Sequence, residues 1–161
     1  MAMWRRQRIY LDTSVLSAYF DGRSPERRAL TALFWERLAA FDTWISDLVL
    51  AEIAATDDRS LADDMLRLVE GLRSAAVGDD ARRLADEYLR AAAVPASAPV
   101  DAVHVAVATL LEVDAVVSWN LRHLVRQRTR DRVNVVNARY GLRAVVLATP
   151  AEFLEDENGR D

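Results

Sequence analysis

Short apolar runs alternate with longer segments in which apolar residues recur every three or four positions, and this rhythm predicts the architecture. Arg8 to Leu11, Thr43-Trp44-Ile45-Ser46 and Ala115-Val116-Val117-Ser118 read as strands, the last fully buried. Ala75 to Val77, Val133 to Val136 and Ala144 to Leu147 are further strand candidates. Between them the spacing predicts helices, beginning with Ser14 to Phe20. Ser24-Pro25 reads as an N-cap with proline at the first helical position, opening a helix that carries Leu30, Leu33, Phe34, Leu38 and Phe41. Another helix starts at Asp47, and Ser60-x-x-Asp63 resembles a capping box for a helix reaching Leu72. From Asp79-Asp80 onward, Ala81, Leu84, Ala85, Tyr88, Leu89 and Ala92 form one apolar stripe. Pro99 opens a helix from Val100 to Glu112 that is apolar almost all round and therefore belongs in the interior. A last short helix starts at Thr149-Pro150. Strands separated by helices predict an α/β domain with a central, mostly parallel sheet of about five strands and helices on both faces. It spans residues 1–154, followed by an acidic tail over 155–161 that frays.

Composition narrows the possibilities. A chain of 161 residues with 52% hydrophobic and 29% charged residues fits one domain with a real core and a polar surface. No stretch approaches the ~20 apolar residues of a membrane span. The basic start, Met1 to Arg8, is followed by an apolar run that Asp12 interrupts too early for a signal peptide, so a cytoplasmic location is expected. Cysteine is absent, which excludes disulfides, thiolate metal sites and cysteine nucleophiles. The net charge of −4 argues against a general nucleic-acid coat. All 21 basic residues are arginine, and Arg122, Arg126, Arg128, Arg130 and Arg132 follow Asn120 in one segment. They either position phosphate with planar donors or form an ordinary solvated helix surface.

In parallel α/β sheets, ligands bind outside the carboxyl ends of the strands. Asp12 follows the first strand and Asn120 follows the strand ending at Ser118. Glu52 lies in the first turns of the helix after the second strand, and Asp101 in the first turn of the buried helix. Singly, each has a structural explanation as a cap, a solvated side chain or a partner of the helix dipole. Jointly they suggest a hard divalent cation and hydrolysis of a phosphate ester. Other chemistries that begin with a strand-terminal Asp fit poorly. A haloacid-dehalogenase-type enzyme needs a second Asp where Ser14 stands, and a receiver domain needs a lysine that the chain lacks. A dinucleotide-binding turn needs glycines where Thr13-Ser14-Val15 stands.

Ile9-Tyr10-Leu11-Asp12-Thr13-Ser14-Val15-Leu16, Leu48-Val49-Leu50-Ala51-Glu52-Ile53, Asp101-Ala102-Val103-His104-Val105-Ala106 and Ser118-Trp119-Asn120-x-Arg122-His123-Leu124 together resemble a PIN domain of the VapC toxin type. The resemblance covers about residues 8 to 147 and rests on the order and spacing of the motifs. It implies a three-layer α/β/α nuclease that cuts single-stranded or loop RNA with Mg²⁺ or Mn²⁺, often paired with a cognate antitoxin. The implied catalytic set is Asp12, Glu52, Asp101 and Asn120. Asp12 and Asp101 would be the principal metal ligands, and Glu52 a ligand directly or through water. Ser118 and Arg122 would contact substrate, and Thr13 and Ser14 would hydrogen-bond Asp12 or substrate or simply cap the helix.

Asn120 departs from the pattern, since many relatives carry an acid there. Asp114 cannot replace it, lying roughly 20 Å away at the other sheet end. A neutral fourth position favours one firmly held cation over two. His104, three residues after Asp101, either orients that carboxylate from behind or is a satisfied core histidine. His123 contacts phosphate or packs. The four tryptophans, Trp4, Trp35, Trp44 and Trp119, suit core or interface positions, and Trp119 is the one best placed for the alternative, stacking on a base. Leu33, Phe34 and Trp35 give their helix more apolar circumference than one core stripe needs, which suits an antitoxin groove or a homodimer face. The competing reading is a PIN-like binding module with weak or no catalysis, and Asn120 is its best support.

Overall fold

The computed structural model describes residues 5–158, so Trp4 and residues 159–161 lie outside the described residues. Ile9, Tyr10 and Leu11 are completely buried because β1 (Arg8–Leu11) is the middle strand of the sheet, covered on both faces. β2 (Asp42–Ser46) pairs along one edge of β1 and β4 (Ala115–Val117) along the other. β3 (Arg73–Ala75) lies beyond β2, and β5 (Val146–Ala148) beyond β4. The order is β3-β2-β1-β4-β5 and every pair is parallel.

Eight α-helices connect and flank these strands among the described residues. The first four, α1 (Thr13–Phe20), α2 (Pro25–Glu36), α3 (Asp47–Ala54) and α4 (Arg59–Leu68), carry the chain outward from β1 to β3. The next two, α5 (Asp79–Arg90) and α6 (Pro99–Leu110), return it across the sheet to β4. Last come α7 (Gln127–Arg139), leading to β5, and α8 (Pro150–Asn158). Crossovers of one hand that run in opposite directions must lie on opposite faces. Accordingly α1 packs on α2, α3 and α4, and α8 on α2, while α5 packs on α6 and α7. The result is a three-layer α/β/α sandwich. Nearly every residue of α6 from Ala102 to Thr109 is buried, as its all-round apolar sequence requires. No helix among the described residues is long and apolar enough to cross a membrane.

Several boundaries differ from expectation. Val133 to Val136 is not a strand but part of α7. Thr129, Val133, Val136 and Asn137 are its buried residues and Val135 is exposed, a helical period hidden inside a β-branched run. Gly141 follows that helix at φ +68, a left-handed conformation that suits a helix end. The α4 cap is Asp58, whose carboxylate accepts from Leu61 N at 3.1 Å, rather than Ser60. The helix opened by Pro25 stops at Glu36, and only a 3₁₀ turn, Leu38–Ala40, continues toward Phe41. α8 runs to Asn158, into the segment expected to fray.

Phe34 ties α2 to α8: it is completely buried, with its ring edge-on to Phe153 at 5.8 Å. Phe34→Ala is expected to destabilise the fold by ~3–5 kcal/mol, read by denaturant unfolding. A loss below about 1 kcal/mol would show that α8 does not depend on this contact.

Candidate active site

β1 is where the strand order reverses, since the chain leaves it toward β2 and later returns beside it as β4. The crevice between the carboxyl ends of β1 and β4 is the place where such sheets bind ligands. Asp12 ends β1 there, and Ser118-Trp119-Asn120 ends β4. A backbone bond from Asp12 N to Val117 O at 3.4 Å holds the two ends together.

Asp12 is 3% exposed. It is the N-cap of α1: Oδ1 accepts from Ser14 N at 3.1 Å and from the Ser14 hydroxyl. Oδ2 accepts from Ser118 Oγ at 2.5 Å. The Ser14 and Ser118 hydroxyls also take bonds from Trp119 N and Asn120 N, each at 2.9 Å, so one carboxylate organises both loops. Burial raises the Asp12 pKa; the charge of His104 and the hydrogen bonds from Ser118 and Ser14 oppose the rise, and the nearby Asp101 charge adds to it. No arginine pairs with Asp12 among the described residues.

Asp101 enters from the first turn of α6. Its Oδ2 accepts from Asn120 Nδ2 at 2.9 Å and meets His123 Nδ1 at 3.1 Å, while Asn120 Oδ1 accepts from His123 N at 3.0 Å. Asn120 therefore supports Asp101, a task a carboxylate could not perform without a proton. Of the two roles open to His104, the structure gives the satisfied core histidine and not the residue that orients Asp101. His104 lies on the buried side of α6, where Nε2 meets Glu52 Oε1 at 2.6 Å and Nδ1 meets the Tyr10 hydroxyl at 2.7 Å. That hydroxyl in turn lies 2.8 Å from Ser46 Oγ. Thr13 Oγ1 donates to the same Glu52 oxygen at 2.9 Å. Partial burial works against ionisation of Glu52, yet the His104 hydrogen bond and charge, helped by Thr13, hold its pKa below the ordinary carboxylate value. An ionised carboxylate only accepts, so Nε2 donates to Glu52, and the Tyr10 hydroxyl meets the other ring nitrogen.

The structure thus brings Asp12, Asp101, Asn120 and Ser118 into one crevice and holds Glu52 beside it on the His104 line. Thr13 and Ser14 spend their hydroxyls on Glu52 and Asp12. Arg122 is exposed, whereas Arg126 is tied to Thr129, Arg130 to Glu152 and Arg132 to Ala92 O. Trp119 is not free to stack on a base: it is buried, its indole donates to Thr31 at 2.9 Å, and Arg27 lies 4.9 Å over its ring. Asp114 caps the other end of the sheet, accepting from Arg8 N. Tyr10 and Ser46 belong to this region and were not singled out by sequence reasoning, whereas His123, weighed there as a phosphate contact or a packing residue, meets Asp101. Tyr10 was legible, because two residues before Asp12 in a strand means the same face.

Among the described residues, no group of three or more His, Cys, Asp or Glu side chains closes on one point. The donor set still fits a hard cation. Mg²⁺ characteristically uses one or two carboxylates and keeps waters, rather than needing a full protein cage. Asp12, buried with no arginine paired to it among the described residues and with the Asp101 charge nearby, is the carboxylate such an ion would relieve.

The profile of the PIN domain family matches residues 9–137. No curated protein sequence matches the chain. Among solved structures, VapBC2 from Rickettsia felis, bound to a DNA fragment from its promoter, is similar at 12% identity and TM-score 0.54, covering 89% of this chain and 98% of that one. VapC20 from Mycobacterium tuberculosis, a sarcin-ricin loop cleaving toxin, is similar at 20% identity and TM-score 0.49, covering 67% and 86%.

The two opposed carboxyls make stability depend on pH. Asp12, raised above its ordinary 3.8, contributes stability that is complete below that value and lost as pH rises through its native pKa. Glu52, lowered from 4.5, contributes stability that is present above that value and lost as pH falls through its native pKa. With divalent ions chelated, Asp12→Asn should therefore melt above wild type at neutral pH, and the advantage should vanish in acid. Identical melting at neutral pH would disprove the burial cost assigned to Asp12.

Proposed function

Because the chain belongs to the PIN domain family, we propose that it is a divalent-metal-dependent endoribonuclease that cuts single-stranded or loop RNA, acting as the toxin of a type II toxin–antitoxin pair. The observation that carries this reading is the meeting of Asp12 with Asp101 at the β1–β4 switch point, where Asp12 is buried with no arginine paired to it among the described residues. A bound Mg²⁺ or Mn²⁺ ion, held by Asp12 and Asp101, supplies charge stabilisation to the phosphodiester and acidity to a water.

The remaining steps belong to the protein. Asn120 and His123 hold Asp101 at a fixed orientation. Ser14 and Ser118 hold Asp12, so neither ligand needs to reorganise when substrate arrives. Glu52, kept ionised by His104 and Thr13, accepts a hydrogen bond from the attacking water and aligns it. That water's oxygen forms the new bond to phosphorus as the bond to the leaving oxygen breaks. Arg122, exposed just past Asn120, is free to meet the RNA backbone, a contact that positions substrate without reading its sequence. An antitoxin is proposed to cover α2, where Leu33 is 48% exposed beside Trp35; a homodimer is the other occupant of that face.

The second reading, a PIN-like RNA- or protein-binding module, draws on the neutral Asn120 and on the absence of a three-carboxylate cluster among the described residues. One assay separates them: purified protein with Mn²⁺ and a panel of structured and unpaired RNAs. Asp12→Asn and Asp101→Asn should each lower the cleavage rate by more than ~10²-fold and weaken Mn²⁺ binding, while Asn120→Ala should cost less. Cleavage equal in wild type and Asp12→Asn would mean a contaminating nuclease. No cleavage with any metal or RNA would favour the binding module.

A further inference from the structure

The amino end of the sheet, opposite the carboxylates, holds a cavity of about 600 Å³ whose lining includes Arg5, Arg6, Arg8, Arg73, Asp42 and Thr43. The length of β1, roughly 13 Å at ~3.3 Å per residue, separates it from Asp12. Its arginines are arranged rather than scattered. The guanidiniums of Arg8 and Arg73 lie 5.7 and 5.6 Å from the centre of the Trp44 ring, and cation–π attraction holds both against the sheet. Asp42 fixes the same group: it accepts from Arg8 Nε at 3.0 Å and from Trp44 Nε1 at 3.1 Å, with Arg73 at 3.9 Å. Arg5 reaches Asp114 only at 3.7 Å, and Arg6 pairs with no acid among the described residues.

Four arginines and one carboxylate, Asp42, therefore line the cavity, while Asp114, outside the lining, is shared between Arg5 and Arg143; this is an excess of positive charge in a chain whose net charge is −4. Like charges held together are costly unless an anion joins them.

We propose that this cavity is a second ligand site that binds a phosphate group, with Arg6 and Arg73 as its principal donors and Arg8 as its fixed floor. Arginine's planar fork matches tetrahedral oxyanions with paired hydrogen bonds. The phosphate belongs to a free nucleotide or to an RNA strand, and the two sources are separable. The inference stands apart from the ribonuclease reading, because it concerns binding at the end of the sheet remote from the carboxylates.

The test uses the full chain in chelator, so that cleavage plays no part. Inorganic phosphate and a 5′-mononucleotide are titrated by calorimetry, and a short unpaired oligoribonucleotide by fluorescence anisotropy. Wild type should bind at least one of the three. Arg6→Glu/Arg73→Glu should weaken that binding tenfold or more, while Asp101→Asn leaves it unchanged. Comparable binding of phosphate and mononucleotide identifies the free ligand. Binding of the oligonucleotide alone, with a salt dependence that the double variant reduces by about two phosphate contacts, identifies the strand. Circular dichroism reports folding, and Arg6→Gln/Arg73→Gln carries the same comparison if the charge reversal does not fold. Wild-type binding of none of the three, or binding equally tight in the double variant, overturns the proposal.

Discussion

A carboxylate buried at the carboxyl end of the central strand costs free energy that only local geometry can offset, and much of the crevice is organised by that need. Asp12 has no arginine beside it among the described residues. Three donors meet it instead, the Ser14 amide and hydroxyl and the Ser118 hydroxyl. Each donor comes from a different demand of the fold. The Ser14 amide is an orphan of the first turn of α1, which any N-cap satisfies. Ser118 is the residue that leaves β4, and its hydroxyl accepts from Asn120 N before passing its own proton to Asp12. The turn after β4 and the start of α1 are thereby set by one charge.

The other carboxylates are handled in different ways. Asp101 is held at the crevice through one oxygen, Oδ2, which accepts from the Asn120 amide nitrogen and meets the His123 ring, so its other oxygen is left to the crevice. Glu52 is joined through His104 and Tyr10 to Ser46 at the end of β2, so its position follows the sheet rather than the mobility of its own helix. Asn120 consequently reads as a supporting residue whose amide nitrogen does something an acid in the same place would not.

Most of the architecture was legible because burial on both faces produces continuous apolar runs, and Ile9 to Leu11 of β1 and Ala115 to Val117 of β4 are such runs. The exception, Val133 to Val136, shows where that signal fails. A β-branched cluster looks extended in isolation, and only the register of Thr129, Val133, Val136 and Asn137, closed by Gly141, reveals the helical period. Asp12, Asp101 and Asn120 were legible from their place at element ends. The pairing between them was not, because spacing along α6 left open whether His104 would serve Asp101. Which neighbour a side chain meets depends on the rotation of α6 against the sheet, set by packing of Ala102, Val105 and Ala106 in the interior. Trp119 takes the core position its composition suggested rather than a stacking one, with its indole bonded to Thr31 of α2.

The strand order carries a consequence in time. β1 finds one of its neighbours within the first third of the chain, but its other edge waits for β4, with Ile9 aligned on Ala115 and Leu11 on Val117. Asp12 and Ser118 likewise meet only across that late pairing. A ribosome emitting this chain from its amino end exposes Asp12 long before Ser118, Asn120 or Asp101 exists to complete its surroundings. An amino-terminal fragment ending before β4 would contain the capped aspartate and no crevice. The crevice thus lacks its full set of residues until nearly three-quarters of the chain has been made.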